Sequence, residues 1–258
     1  MDIQLMSFNT QHCLNYLTRQ IDYDRMAEVI RECGADIIGL NEMMGLNRDD
    51  EKILEIAAQN LHSSMGYNYA DPNWNGQVEQ LAAKLGMYCY FAKAIRLSGL
   101  GDYGNALLSR YPILKAAVVP IPDPETPAVA DGYYETRCIL RAELDVPGGL
   151  TVCTAHFGLN PDELALAVET AVSQIETRRF VLMGDFNFKP DHPAFAPIYD
   201  RLQDTARYFD EPKLSFPSDV PDRKIDYIFT SRDLQVVSAD IPAIVASDHR
   251  PHTAVIRV

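Results

Sequence analysis

Several apolar runs in this chain end on the same few kinds of side chain. "RFVLMGDFNFKP", residues 179–190, leads Phe180, Val181, Leu182 and Met183 straight into Gly184, Asp185, Phe186 and Asn187. "LMSFNT" reaches Asn9, "IIGLNEM" reaches Glu42 and "VCTAHFG" reaches His156. "KIDYIF" holds Asp226, and "VASDHRP" sets Asp248 beside His249. Each fragment alone reads as a turn or an ordinary core residue, because Gly, Asp and Asn are common turn formers. Their recurrence points elsewhere. Ionisable groups gathered near strand ends are costly to bury unless they pair with one another or bind a cation. Carboxylates and amides at one mouth would suit a hard divalent cation, which takes oxygen ligands. Side chains alternate along an extended chain, so Asp185 and Asn187 are expected on one side, facing one ligand.

Something must bring these ends together, and the pattern of elements supplies it. Residues 3–9 read as a strand. A helix follows, capped by Asp22 or Asp24, with Met26, Val29, Ile30 and Cys33 at helical spacing and Gly34 as its stop. "DIIGLNEM" is a short strand. Helices are expected over residues 50–65 and 78–85, the second stopped by Gly86. From Met87 the chain turns to strands: "MYCYFAKAI", "GNALLSRY", "KAAVVPI", "TRCILRAELDV" and "LTVCTAHFG". Gly148-Gly149 marks a hairpin. Asn160-Pro161-Asp162-Glu163 opens a helix that runs to about residue 176, with Pro at its first position and acids behind it. "FVLMGDF", "KIDYIFTS", "LQVVSADI" and "HTAVIRV" complete the strands. Two series of strands with amphipathic helices between them predict two packed sheets flanked by helices, in one domain spanning residues 1–258.

Composition narrows the chemistry. The 258 residues carry 36 acidic and 23 basic side chains, a formal charge of −13. That balance opposes non-specific binding to a nucleic-acid backbone, which needs clustered Lys and Arg. It suits a protein that collects divalent cations. Cys13, Cys33, Cys89, Cys138 and Cys153 are odd in number and form no Cys-x-x-Cys pair, and they read as reduced core residues. Residues 1–10 have an acid at position 2 and no long apolar run, and no stretch is long enough to span a bilayer. A soluble cytoplasmic protein without integral membrane contact is expected.

The ordered set "SFN", "NE", "YGNALLSR", "AHFG", "GDFN", "KIDYIF" and "SDHRP", spread over residues 7–252, resembles the endonuclease/exonuclease/phosphatase superfamily. The resemblance implies a four-layer αββα sandwich and divalent-metal-dependent hydrolysis of phosphoesters, with Mg²⁺ or Mn²⁺ as cofactor. Glu42 would be the principal metal ligand, with Asn9 beside it and Asp248 supporting the metal site and the neighbouring histidine. Asp185 would orient or deprotonate the attacking water. Asn187 would hold a phosphate oxygen, and His249 would contact the phosphate and stabilise its developing charge. Asp226 would orient an active-site histidine, and His156 would face the scissile bond near the leaving group.

Within the superfamily, "AHFGLN" is closer to sphingomyelinase-like, phosphodiesterase-like and pancreatic-nuclease-like members than to abasic-site endonucleases. "GLGDYGNALLSRYPI" resembles small bacterial phosphodiesterase-like members. Arg137 either contacts phosphate or braces the site, or else forms a surface ion pair with Glu135. Asp102 and Asn105 either orient His156 or serve turns beside Gly101 and Gly104. Tyr67, Tyr69 and Trp74 either line a substrate wall or simply pack. The Pro-rich stretch 120–134 is either a lid or a solvated connection. His12, His62, His192 and His252 match no family motif. The expectation is a phosphodiesterase acting on a small molecule or lipid headgroup in preference to nucleic acid. A nuclease and a non-catalytic phosphate-binding protein on the same fold are the alternatives, and oligomeric state is open.

Overall fold

A computed structural model describes residues 1–45, 76–97 and 101–258. The expected helix over residues 50–65, together with Tyr67, Tyr69 and Trp74, lies outside the described residues, as does His62. Twelve strands and four helices are described. The strands are β1 (Asp2–Asn9), β2 (Ile37–Met44), β3 (Tyr88–Leu97), β4 (Gly101–Ser109), β5 (Ile113–Pro120) and β6 (Cys138–Leu144). They continue as β7 (Leu150–His156), β8 (Phe180–Asp185), β9 (Leu202–Asp204), β10 (Asp226–Ser231), β11 (Gln235–Asp240) and β12 (His252–Arg257). The helices are α1 (Tyr23–Glu32), α2 (Gln77–Leu85), α3 (Pro161–Gln174) and α4 (Ala196–Arg201).

Local chemistry sets the helix ends. Asp22, not Asp24, caps α1: its Oδ1 accepts from the Arg25 amide at 2.9 Å, and Gly34 leaves the helix at φ 63°. Asp24 instead pairs with Lys84 of α2 at 2.7 Å. Gly86 ends α2 at φ 65°. In α3 the Glu163 carboxylate accepts from the Asn160 amide at 3.1 Å, behind Pro161 in the first turn. The short α4, the 3₁₀ turns around it and β9 carry no such periodic signal and are not anticipated.

The strands form two six-stranded mixed sheets, ordered β11-β12-β1-β2-β4-β3 and β5-β6-β7-β8-β10-β9. Among the described strands only β1–β2 and β7–β8 pair in parallel. Alternation along each strand builds three apolar layers. Ile3, Leu5, Ile37, Leu140, Val152, Met183, Ile228 and Ile256 meet between the sheets. Phe8, Ile38 and Leu108 face α1 and α2, and Leu182, Tyr227 and Phe229 face α3 and α4. The result is the four-layer αββα sandwich. No helix among the described residues is long and apolar enough to cross a membrane. All five cysteines are free. Cys13, Cys138 and Cys153 are buried as expected, whereas Cys33 is only half-buried and Cys89 is exposed on β3.

Candidate active site

At one end of the sandwich the inward-facing positions change from apolar to polar. Register decides which side chains become neighbours. His156 pairs with Asp185 across β7–β8, and Asp226 pairs with Asp185 across β8–β10, so the three stand in a row. On the facing sheet Asn9 pairs with Asn41 across β1–β2. Asn41 ties the sheets together. Its Oδ1 accepts from the Asp185 amide at 3.0 Å, and its Nδ2 donates to Asn105 Oδ1 and to the Ala155 carbonyl at 2.8 and 3.0 Å. Beneath it Gly39 lets the sheets close up, since a Cβ there would come within 2.1 Å of Thr154 Oγ1.

Two side chains reach the site by breaking the strand pattern. A register shift between Leu40 and Met43 and a positive φ of 58° at Glu42 form a bulge that re-aims Glu42 beside Asn41. Asn187 also takes φ 58°, one residue beyond Phe186, and its amide donates to Asp185 Oδ1 at 2.9 Å. Extended alternation therefore does not explain how Asp185 and Asn187 converge. The strand stops at Asp185, and a left-handed turn returns the amide to the same place.

Asp185 is the hub. Asn9 Nδ2 donates to its Oδ2 at 3.0 Å and to Glu42 Oε1 at 3.0 Å, while Asn9 Oδ1 accepts from the Gln11 amide. Asn9 thus offers its nitrogen to both carboxylates. His156 Nε2 and His249 Nε2 lie 3.6 and 3.5 Å from Asp185 Oδ2. His249 Nδ1 donates to Asp226 Oδ2 at 2.9 Å. Asp248 accepts from Ser247 Oγ at 3.0 Å. Arg137 is buried, and its Nη1 donates to Tyr103 Oη and His156 Nδ1, both at 3.1 Å, while Glu135 pairs with it at 2.7 Å. The Arg137–Glu135 ion pair is therefore an interior one. Asp102 and Asn105 do not orient His156 and are not turn residues: both lie in β4, Asp102 pairing with Lys93 and Asn105 donating to the Cys138 carbonyl.

Charge states follow from these neighbours. Burial pushes the Asp185 carboxyl up, the His249 charge opposes it, and the balance is about 7. Burial would push His249 down, but the Asp226 and Asp185 charges outweigh it and hold the imidazolium up to about 10. Burial, then Arg137, drive His156 well below its ordinary value. Burial raises Asp248. Two groups escaped the sequence reading. Asn41 sat in plain view beside Glu42, but its bridging role depends on a partner sheet. His12 lies 3.7 Å from Glu42 Oε2, carried there by consecutive left-handed residues Gln11, His12 and Cys13. His252 is buried behind Asp226, Nδ1 3.2 Å from its carbonyl, and His192 caps the 3₁₀ turn Pro193–Phe195.

The donor set fits a hard divalent cation. Asp185, Asp226 and His249 offer ligand atoms within 4.8 Å of one another. Within this group His249 Nδ1 is engaged by Asp226 Oδ2 at 2.9 Å, and its Nε2 lies 3.5 Å from Asp185 Oδ2. Glu42, joined to Asp185 through Asn9, and Asp248, which feels the charges of His249, Glu42 and Asp226, bring the acids of this mouth to four, and Asp226 Oδ1 has no hydrogen-bond partner. Glu42 and Asp248 are further carboxylates of this mouth that could hold a metal.

A family model described as "Endonuclease/Exonuclease/phosphatase family" matches residues 6–249. The uncharacterized protein YbhP of Escherichia coli K12 is 23% identical over 274 residues, covering 99% of this chain and 96% of YbhP. An endonuclease/exonuclease/phosphatase structure from Beutenbergia cavernae superposes with TM-score 0.71 at 21% identity, over all of this chain and 72% of that one. The Bacteroides thetaiotaomicron mannosyl-6-phosphatase superposes with TM-score 0.70 at 15% identity, over 99% of this chain and 100% of that one. With a family match across nearly its whole length and the sandwich and polar mouth described above, the chain belongs to the endonuclease/exonuclease/phosphatase family.

Proposed function

We propose that this protein is a divalent-metal-dependent phosphodiesterase that cleaves a P–O bond by in-line attack of water, with a small molecule or lipid headgroup as substrate. The carrying observation is the convergence on Asp185, whose carboxylate is approached by Asn9, Asn187, His156 and His249. Asp185 accepts the proton of the attacking water, a task suited to a group that titrates near neutrality. Asn187 holds a non-bridging oxygen. His249, kept cationic by Asp226, neutralises charge that grows on the phosphoryl group. Asn9 spaces Glu42 from Asp185. Mg²⁺ or Mn²⁺ held by Glu42 and Asp248 would polarise the phosphoryl group and offset its charge.

Hydrolysis of bis(4-nitrophenyl) phosphate with Mg²⁺ or Mn²⁺ tests this reading. Activity is expected to vanish with EDTA and to fall at least about a hundredfold in Asp185→Ala. Undiminished turnover in that variant sinks the assignment of the base. Parallel arms with phosphomonoesters, sphingomyelin, intact duplex and duplex carrying one abasic site separate the diesterase from a sugar-phosphate monoesterase and from a nuclease.

A further inference from the structure

Both ring nitrogens of His156 face N–H donors. Arg137 Nη1 lies 3.1 Å from Nδ1, and Asn187 Nδ2 lies 3.2 Å from Nε2. A guanidinium stays protonated and only donates. Nδ1 must therefore present its lone pair, which leaves the one proton of the neutral ring on Nε2. Turning the Asn187 amide over would not help, because its Nδ2 also donates to the Phe157 carbonyl at 2.9 Å. Two donors thus point at each other across 3.2 Å and cannot bond. The Asp185 carboxylate is 3.6 Å from Nε2, beyond hydrogen-bond length. The pair lacks a shared acceptor.

We propose that Arg137 is a positioning residue that locks His156 as the neutral Nε2–H tautomer, so that His156 Nε2 and Asn187 Nδ2 form a two-donor cradle for one substrate oxygen. Only the identity of that oxygen, a non-bridging phosphoryl oxygen, rests on the phosphodiesterase reading. The tautomer stands without it. Arg137 is itself held. The two Nη1 protons go to Tyr103 and His156, Glu135 balances the charge at 2.7 Å, and Tyr133 Oη donates to the other Glu135 oxygen at 2.6 Å. A carboxylate in the place of Arg137 would do the opposite: it would accept from Nδ1 and support an imidazolium. With a guanidinium there, His156 has no proton to give a leaving oxygen short of becoming an anion. Its contribution is a fixed dipole, not acid catalysis. The leaving oxygen then takes its proton from water, which favours esters of acidic alcohols.

Long-range ¹H–¹⁵N correlation of the histidine rings in the full-length protein at pH 7.5 tests the lock, with His156→Asn identifying the signal. An unprotonated Nδ1 and protonated Nε2 are expected. An imidazolium or the Nδ1–H tautomer in the wild type overturns the proposal. In Arg137→Met the tautomers are expected to mix and kcat to fall about ten- to a hundredfold, with KM less affected. Arg137→Lys is expected to restore both in part. Loss of kcat in Arg137→Met with the His156 tautomer unchanged would show Arg137 acting on substrate directly, and would also overturn it. The wild-type spectrum decides the case even if Arg137→Met does not fold, and even if no phosphodiester is turned over.

Discussion

His249 and His156 lie 3.5 and 3.6 Å from the same oxygen of Asp185, yet their neighbours put them in opposite charge states. The difference is one partner each: a carboxylate on Nδ1 of His249, a guanidinium on Nδ1 of His156. Asp226→Asn removes the partner that keeps His249 cationic and oriented. Its kcat is expected to drop about a hundredfold or more while the far-ultraviolet circular dichroism stays that of the wild type. The His249 charge also couples to folding. Its folded value near 10 lies above the unfolded value near 6.5. The stabilisation is therefore complete below about pH 6.5 and disappears as pH rises through about 10. Urea unfolding of metal-free wild type and His249→Gln at pH 6, 8 and 10 should show the gap between them closing. A gap that stays constant would mean that His249 is neutral in the fold.

At the scale of elements, much of the site was legible because strands alternate. Inward positions that read Ile3, Leu5, Ser7, Asn9 or Val181, Met183, Asp185 announce an apolar interior ending in polar groups. What alternation could not convey is where the chain leaves it. The bulge at Glu42 is a single-residue backbone choice that no local propensity marks, whereas the left-handed turn at Asn187 uses a residue type that tolerates positive φ. Contacts between distant strands were equally hidden: Asn9 and Asp185 are 176 residues apart, and nothing near Arg137 names His156 as its partner. The glycine before Asp185 shows how tightly these elements are set. Gly184 has φ 146°, and a Cβ there would lie 1.8 Å from the Ala155 carbonyl oxygen, in the backbone of β7. Gly184→Ala should cost about 3 kcal/mol or more and depress activity, because it prises β8 from β7 beside Asp185 and His156. Gly34→Ala shares a positive φ but meets nothing within 4 Å, and should cost only about 1–2 kcal/mol with activity intact. Equal costs in denaturant unfolding would count against close strand approach as the constraint at Gly184.

Across the whole molecule, three apolar layers hold the sandwich together, and the polar end of the middle layer works against them. Asp185, Asp226 and Asp248 face the His249 imidazolium, and Glu42 adds a fourth carboxylate within reach of Asp248 and Arg137, in a chain that already carries a charge of −13. Carboxylates brought together at the rim of a buried layer repel one another, and a bound divalent cation relieves that repulsion only in the folded state. Ligand linkage then predicts that Mg²⁺ or Mn²⁺ raises stability by about 2.7 kcal/mol at about a hundred times its Kd, on the order of 5–10 °C in Tm for a chain of this length. Calcium-free monovalent salt at matched ionic strength, which only screens, should give much less. In Glu42→Gln the metal-free protein is expected to melt at or above the wild type, since one repelling charge is gone, and most of the divalent-specific shift is expected to be lost. A Tm that rises equally in both proteins would move the cation away from Glu42. A Tm indifferent to divalent ions would leave His249, Arg137 and Lys224 to offset the four acids.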